Sequence, residues 1–329
     1  MKKIIFTLAA LTFFLVSCKN NSDKKENSEA ETAQIAPQQS TDPFFKLSLA
    51  QWSLNRAIRG GEMSPFDFAK KAKEMGFEGI EYVSQLYTKE LEKYDDKKAG
   101  MDSIVARMKS ESEKHGVTNV LIMIDREGDL AAEDEKDRDA AVESHKKWVD
   151  AASVLGCHSV RVNLFGTNDQ ATWLKTAPDG LKKLSEYAAT KNINVIVENH
   201  GYLSSNAGLL MKVMNTVAMD NCGTLPDFGN FCLKREGGAQ WGAKCVEEYD
   251  RYKGVEEMMP KAFAVSAKSH EFNSETGLET ATDYTKMMKI VKDAGYTGFV
   301  GVEYEGQGLG EEAGIIATRD LLLKVAKTL

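Results

Sequence analysis

The chain has 329 residues, of which 42% are hydrophobic and 28% are charged. A sequence of this length and composition can bury a large core, which excludes a disordered tail or a small protein that depends on disulfides. The formal net charge of -7 makes the surface a poor partner for nucleic acid.

The N-terminal segment has the pattern of a secretory leader. Two lysines precede an apolar run over residues 4–16, which is too short to span a bilayer but has the length of a signal-peptide core. Ser17 and Cys18 follow directly, an order that resembles a bacterial lipobox; an ordinary signal peptide with an incidental cysteine is the alternative. The sequence predicts a lipoprotein signal peptide over 1–18 with Cys18 as the lipidated residue. It therefore predicts an exported bacterial protein, lipid-anchored at the periplasmic face or the cell surface.

Residues 19–42 contain almost no large apolar side chain. Such a segment cannot bury enough surface to order itself, so it is predicted to be a disordered tether. The cysteines of the following body, at positions 157, 222, 232 and 245, show no CxxC spacing. Because a body of this size does not need disulfides, Cys232 and Cys245 are expected to be buried or free rather than bridged.

A pattern of helix, glycine and β-rich run recurs along the body of the chain. Helical segments end at Gly76, Gly116 and Gly156, which lie 40 residues apart, and a run of apolar and β-branched residues follows each glycine. Glycine tolerates the left-handed conformation that ends a helix, so each is expected to cap a helix before the chain turns into a strand. Repeated βα units of this length are typical of α/β folds.

The pattern predicts eight strands that alternate with eight helices. The strands are predicted at 46–53, 77–83, 117–125, 159–165, 194–199, 223–227, 262–270 and 299–304. The helices are predicted at 65–75, 101–115, 138–155, 179–190, 207–217, 255–259, 282–294 and 313–327. Eight such units fit a parallel (β/α)8 TIM barrel formed by one domain over 43–329, since about 250 residues are typical of that fold. An open doubly wound sheet is the alternative, but no GxGxxG turn follows the first strand.

Ionisable side chains lie at the ends of the last four predicted strands. In a TIM barrel the active site lies at the carboxyl ends of the strands, and side chains that alternate along a strand share the lumen face. On this basis the lumen-facing residues of the last four strands are Glu198 with His200, Asp227, Lys268 with His270, and Glu303 with Glu305.

Four of these residues form a set of metal ligands: Glu198, Asp227, His270 and Glu303. Each residue alone has a simpler explanation, such as a solvated strand end, a turn former or a core histidine. Together they are hard to explain without a cation, because unpaired carboxylates that converge on a barrel mouth repel one another. Three carboxylates and one imidazole suit Mn²⁺, Co²⁺ or Mg²⁺, and Zn²⁺ also fits. One divalent metal ion per chain is therefore predicted.

The body of the chain, from about residue 47 to 329, resembles the xylose isomerase-like TIM barrels, often called sugar phosphate isomerases/epimerases. The resemblance is strongest in VIVENHG at 195–201, GTLPDFGNF at 223–231, AVSAKSH at 264–270 and GVEYEG at 301–306. In that family Glu, Asp, His and Glu at the ends of strands five to eight bind one divalent metal ion, and the two glutamates act as acid and base on the sugar. The matching residues here are Glu198, Asp227, His270 and Glu303. Epimerase members also place a histidine three residues after the aspartate, where this chain has Asn230.

The resemblance implies a metal-dependent sugar isomerase or epimerase that acts through an enediolate. The alternative on the same metal site is a lyase or hydratase that acts on a keto-sugar of the 3-keto-glycoside or 2-hydroxyglycal type. Lys268, Asn230 and export favour this alternative mildly. Lys268 is expected either to pair with a neighbouring glutamate or to act in catalysis as a cation that stabilises the enolate or protonates a leaving oxygen.

Two other functions fit the sequence less well. A DNA-repair endonuclease of the same fold needs several histidines for a multi-zinc site, whereas this chain has five in all and an acidic surface. A non-catalytic sugar-binding lipoprotein does not need two bases beside a metal ion. The predicted partner is a small sugar. No nucleic-acid partner is predicted, and membrane contact is predicted only through the lipid anchor. Whether the chain forms a homo-oligomer is left open.

Further candidates for sugar binding lie near the other strand ends. They are Trp52, Glu81, Asp125, Arg161 and Asn163, in addition to His200, Asn230 and Glu305. Trp52 is explained equally by core packing. The connection over 231–252 is long for a βα loop, so it is expected either to close over the substrate or simply to cover the barrel mouth.

Overall fold

The computed structural model describes residues 42–329. The predicted signal peptide, its lipidation site Cys18 and the predicted tether up to residue 41 lie outside the described residues. Within 42–329, no helix is both long enough and apolar enough to cross a membrane.

The described residues form ten strands: β1 (Lys46–Ala50), β2 (Gly79–Val83), β3 (Thr118–Met123), β4 (Ser159–Val162), β5 (Asn194–Glu198), β6 (Cys222–Leu225), β7 (Cys232–Arg235), β8 (Cys245–Glu248), β9 (Val265–Ser269) and β10 (Phe299–Tyr304). All but β7 and β8 form one parallel sheet in the order β6-β5-β4-β3-β2-β1-β10-β9. Isolated bridges join the two edge strands at Thr224–Ala262 and Asp227–Ser266. The sheet thus closes into the (β/α)8 barrel that the sequence predicts.

The helices surround this barrel: α1 (Asn55–Gly60), α2 (Phe68–Glu74), α3 (Thr88–Glu92), α4 (Lys97–His115), α5 (Glu135–Leu155), α6 (Gln170–Ala189), α7 (Ala207–Val217), α8 (Arg251–Met258), α9 (Tyr284–Asp293) and α10 (Glu311–Ala326). The short helices α1 and α3 are not in the sequence prediction. The largest difference is α6, which begins nine residues before the predicted position 179 and contains Pro178. A proline inside a helix removes a backbone hydrogen bond; here the helix continues because Trp173, Ala177 and Leu181 are fully buried.

The three periodic glycines have the backbone conformation that the repeat implies. Gly116 and Gly156 end α4 and α5 with φ of 62° and 75°, and Gly76 has φ of 83° just after α2. A side chain with a Cβ atom rarely adopts this left-handed region, so these positions favour glycine.

The connection between β6 and α8 forms an antiparallel hairpin from β7 and β8. Cys232 and Cys245 form a disulfide that joins its two strands, with their Cα atoms 5.8 Å apart. The expectation that these two cysteines are buried or free is therefore wrong. The barrel needs no disulfide, but none of residues 232–248 is buried, so this hairpin lacks a core of its own and the covalent bond restrains it instead. Cys157 and Cys222 are free and buried.

Candidate active site

Three buried carboxylates meet at the carboxyl ends of neighbouring barrel strands. Glu198 ends β5, Asp227 follows β6, and Glu303 lies near the end of β10. One oxygen atom of each lies within 4.8 Å of the others. Their exposed fractions are 1%, 0% and 3%. Barrel closure thus brings together three of the four predicted metal ligands.

Hydrogen bonds fix the Asp227 carboxylate on both sides. Its Oδ1 atom accepts the backbone N–H groups of Gly229 and Asn230 at 2.8 Å each. Ser266 Oγ lies 2.7 Å from Asp227 Oδ2 and 3.0 Å from Glu303 Oε2, so its hydroxyl lies between the two carboxylates and can donate its single hydrogen to either one. Asn199 holds the backbone at this point, because its Oδ1 accepts from the N–H of Asp227 at 2.7 Å. Asn199 is not among the predicted site residues, although it lies inside the VIVENHG motif.

Lys268 places a positive charge inside this cluster. Its Nζ atom is 2.6 Å from Glu305 Oε1, 3.3 Å from Glu303 Oε2 and 3.7 Å from Asp227 Oδ2. Burial alone would lower the pKa of Lys268, but the surrounding carboxylates outweigh that effect and raise the pKa well above its ordinary value. Lys268 is therefore a charged ammonium that forms the predicted ion pair, and the carboxylates are not unpaired.

Arg161 supplies a second buried cation on the other side of Glu198. Its Nη1 donates to Asp125 Oδ1 at 2.9 Å, and its Nε lies 2.9 Å from Glu198 Oε2. The Nε–H bond of Arg161 does not point at Glu198 Oε2. The two groups therefore form an ion pair, but neither atom has a hydrogen-bond partner. Glu198 Oε1 instead accepts from Asn230 Nδ2 at 2.9 Å. Asn230, where epimerase members place a histidine, thus orients one of the two glutamates.

The cluster has the chemistry of a divalent cation site. Its donors are hard carboxylate oxygens, and the buried Glu198 Oε2 accepts no hydrogen bond, although the Arg161 guanidinium lies 2.9 Å from it. Burial raises the pKa of Glu303 to about 8 and that of Asp227 to about 6, and Lys268 opposes both shifts. A bound cation would favour the ionised forms of both groups. His270, the fourth predicted ligand, is not in this group: it is exposed and lines the cavity above.

A cavity of about 640 Å³ lies at the barrel mouth. The predicted residues that line it are Trp52, Asp125, Arg161, Asn163, His200, Asn230, His270, Glu303 and Glu305. Of the two predicted acid–base glutamates, Glu303 lines the cavity and Glu198 does not. Phe165 and His145 also line it, and neither residue is among those predicted for the site.

A polar network forms one wall of this cavity. His200 Nδ1 lies 2.7 Å from Asn163 Oδ1, and Asn163 Nδ2 donates to Asp125 Oδ1 at 2.8 Å. Because Asn163 offers an acceptor to His200, His200 Nδ1 is assigned the hydrogen, which leaves Nε2 as an acceptor. Burial lowers the pKa of His200, so the neutral imidazole is favoured.

Glu81 lies in the lumen, as strand alternation predicts, but beneath the cavity. Ser48 Oγ donates to its Oε1 at 2.6 Å. Gly301, two residues before Glu303 on β10, makes room for Glu81: a Cβ atom there would lie 2.5 Å from Glu81 Oε1. Glu81 is thus one layer below Glu303 and does not line the cavity. Burial raises its pKa to about 7.

Solved structures of similar fold include sugar enzymes and metal-binding proteins. The apo 3-keto-D-glucoside 4-epimerase from E. coli is 12% identical with a TM-score of 0.63, covering 84% of this chain and 98% of that one. The IOLI protein with a zinc atom is 16% identical with a TM-score of 0.63, covering 86% and 99%. A xylose isomerase-like TIM barrel protein from Mycobacterium smegmatis in complex with magnesium is 18% identical with a TM-score of 0.59, covering 86% and 97%. Among curated protein sequences, none matches this chain significantly.

The family model described as xylose isomerase-like TIM barrel matches residues 69–325. This match covers most of the chain and includes all four predicted metal ligands. The closed eight-stranded barrel with its acidic cluster agrees with it. This chain therefore belongs to the xylose isomerase-like TIM barrel family.

Proposed function

We propose that this protein is a divalent-metal-dependent carbohydrate isomerase or epimerase. The observation that carries the proposal is the meeting of three buried carboxylates at the mouth of a barrel, next to a cavity of about 640 Å³. The structural neighbours support it, because they include a 3-keto-D-glucoside 4-epimerase. Such a site would take a small sugar as its substrate.

Glu198, Asp227 and Glu303 would hold the metal ion. The family resemblance implies His270 as the fourth ligand, but in this structure His270 lies outside the cluster. A divalent ion bound there would stabilise the negative charge of an enediolate and so ease removal of the neighbouring C–H proton. Neighbours that contain zinc or magnesium support a divalent ion in general, and the carboxylate oxygens equally suit Mn²⁺ or Co²⁺.

Glu303 is the group best placed to move a proton. It lines the cavity, so it can reach a bound substrate, and burial raises its pKa whereas a bound cation would lower it. Glu198 is proposed as the second acid–base group, on the side of the cluster held by Asn230. Return of the proton to the other carbon gives isomerisation, and return to the other face gives epimerisation.

The keto-sugar lyase or hydratase has less support. Breaking a C–O bond needs an additional acid whose pKa lies near the working pH. Lys268 has a strongly raised pKa, and its charge outweighs burial to lower the pKa of Glu305. Lys268 also does not line the cavity, and its ammonium is held 2.6 Å from Glu305 and 3.3 Å from Glu303, so it is poorly placed to protonate a leaving oxygen.

The test is proton exchange at carbon. The full-length protein is incubated in D₂O with a panel of free, phosphorylated and 3-keto sugars, after chelation and again after addition of Mn²⁺, Co²⁺, Mg²⁺ or Zn²⁺. Deuterium at carbon that appears only with added metal supports the proposal. Sugar binding without exchange would contradict it and favour a non-catalytic binding protein, and net elimination would favour the lyase.

We also propose that the protein is exported. The Cys232–Cys245 disulfide supports this, because disulfides persist mainly in oxidising compartments outside the cytosol. This agrees with the leader and the lipobox predicted from the first 18 residues.

A further inference from the structure

Three rings form an aromatic wall on one side of the cavity: Phe165, His200 and Trp241. The Trp241 ring centroid is 4.8 Å from that of His200 and 6.2 Å from that of Phe165, and Phe165 is 5.9 Å from His200. All three residues line the cavity. Phe165 and His200 follow β4 and β5, whereas Trp241 comes from the β7–β8 hairpin.

Gly201 and the Cys232–Cys245 disulfide help to position Trp241 beside the cavity. Gly201 has φ of 87°, and a Cβ atom there would lie 3.1 Å from the indole ring. The disulfide restrains the two strands that carry the tip of the hairpin, residues 236–244. Trp241 nevertheless leaves 45% of its surface exposed. These contacts therefore hold Trp241 beside the cavity, and nearly half of the residue stays exposed.

The aromatic wall lies across the barrel from Glu303. In the closed strand order, β10, which carries Glu303, is three strands away from β5 and four away from β4, which His200 and Phe165 follow. A substrate that reacts at Glu303 and also stacks on Trp241 must therefore extend across the cavity. The cavity of about 640 Å³ corresponds to roughly 20 water volumes, which leaves room beyond one sugar ring.

We propose that the aromatic wall, with Trp241 at its tip, binds a second ring, so that the substrate class is a glycoside rather than a free monosaccharide. This inference rests on the proposed function, which places the reacting sugar at the carboxylates. The second ring offers an apolar face to the indole, as sugar rings and aromatic aglycones both do. Trp241 is thus a specificity-determining residue and takes no part in proton transfer.

The experiment compares ligands with one and two rings. Calorimetry on the full-length protein with added Mn²⁺ measures the Kd of D-glucose, cellobiose and phenyl β-D-glucoside. The variants are Trp241→Ala, Trp241→Phe and, as a matched control, Val246→Ala, which changes an exposed residue of the same hairpin that does not line the cavity. The readout is the ratio of the glucose Kd to the Kd of each two-ring ligand.

We expect the wild type to prefer at least one two-ring ligand. Trp241→Ala should reduce that preference by about 3- to 10-fold, as expected for loss of one aromatic contact. Trp241→Phe should retain most of it, and Val246→Ala all of it. A preference for cellobiose identifies a sugar as the second ring, and a preference for the phenyl glucoside identifies an aromatic aglycone.

The inference is overturned if no two-ring ligand is preferred, if none of the ligands binds, or if Trp241→Ala and Val246→Ala give the same ratio. Failure of the proposed function looks different, because it is measured by deuterium exchange. A Trp241-dependent preference without exchange would leave the aromatic wall as a binding site and reject the enzyme. Exchange without that preference would keep the enzyme and reject the glycoside.

Discussion

The floor and the rim of the cavity differ in burial and in what positions their side chains. The floor consists of Glu198, Asp227, Lys268 and Glu303, which lie on or directly after barrel strands and are at most 3% exposed. The rim is the β7–β8 hairpin, in which none of residues 232–248 is buried. The floor is positioned by the register of hydrogen-bonded strands, and the rim by one disulfide and the contacts of Trp241.

This difference separates chemistry from substrate selection. Charged groups that must converge within a few ångströms need a rigid scaffold, because a small displacement changes their electrostatics strongly. Recognition of a distal ring tolerates looser positioning, so it can be supplied by an inserted element that varies without disturbing the barrel. Substitutions in the floor should therefore change turnover or global stability, and substitutions in the rim should change affinity.

The largest effect is expected for Glu303→Gln. The amide can still coordinate a cation through its oxygen but cannot carry a proton, so kcat should fall by about 10²- to 10⁴-fold while metal content stays near one equivalent. The same substitution in the rim, Glu248→Gln, is the matched control and should leave kcat near wild type. Turnover and metal content measured on both variants test the assignment, and equal turnover in the two would reject Glu303 as an acid–base group.

A smaller effect is expected for Glu81→Gln, one layer below the floor. Burial raises the pKa of Glu81 from its ordinary value of 4.5 to about 7 in the folded protein, so ionisation costs more in the folded state. Wild-type stability is therefore lost as pH rises from about 4.5 to 7, and the full cost is about 3 kcal/mol. Glu81→Gln should be more stable than wild type by up to that amount at pH 8 and equal to it at pH 4.

Denaturant unfolding at several pH values measures this difference, with exposed Glu312→Gln as the control. Identical pH dependence of the wild type and Glu81→Gln would show that Glu81 is not the buried, unionised group that its position implies.

In the rim, the double variant Cys232→Ser/Cys245→Ser should act locally. Closing a loop of this length with a disulfide contributes about 3 kcal/mol, but the hairpin has no buried core that couples it to the barrel. We expect faster amide exchange over 232–248 and weaker binding of two-ring ligands, with little change in the thermal midpoint of the barrel. A large drop in that midpoint would show that the hairpin supports the barrel itself.

The smallest effect on activity is expected for Cys18→Ala. If the lipobox prediction is correct, this variant is released from membranes, while the floor, the rim and the Cys232–Cys245 disulfide remain as in the wild type. Membrane fractionation with a thiol-labelling assay measures both properties. Retention in the membrane fraction would reject lipidation at Cys18.

Much of the floor can be predicted from sequence because the relevant patterns are local. A period of two along each strand separates the lumen face from the helix face, and parallel strands bring their carboxyl ends to one edge. These two rules suffice to bring Glu198, Asp227 and Glu303 together and to place Glu81 in the lumen. The spacing of Gly76, Gly116 and Gly156 likewise follows from a local need for the left-handed conformation that ends a helix.

Tertiary structure decided the properties that depend on depth and on distant partners. Periodicity does not state how far a side chain reaches, so only the structure shows that Lys268 enters the carboxylate cluster, that His270 is exposed and that Glu81 lies below the cavity. The disulfide joins residues 13 positions apart, and the Trp241–His200 contact joins residues 41 positions apart. Both contacts involve the β7–β8 insertion, whose sequence has no periodic pattern. Their pairing is fixed by distances in the folded chain, which no local sequence rule contains.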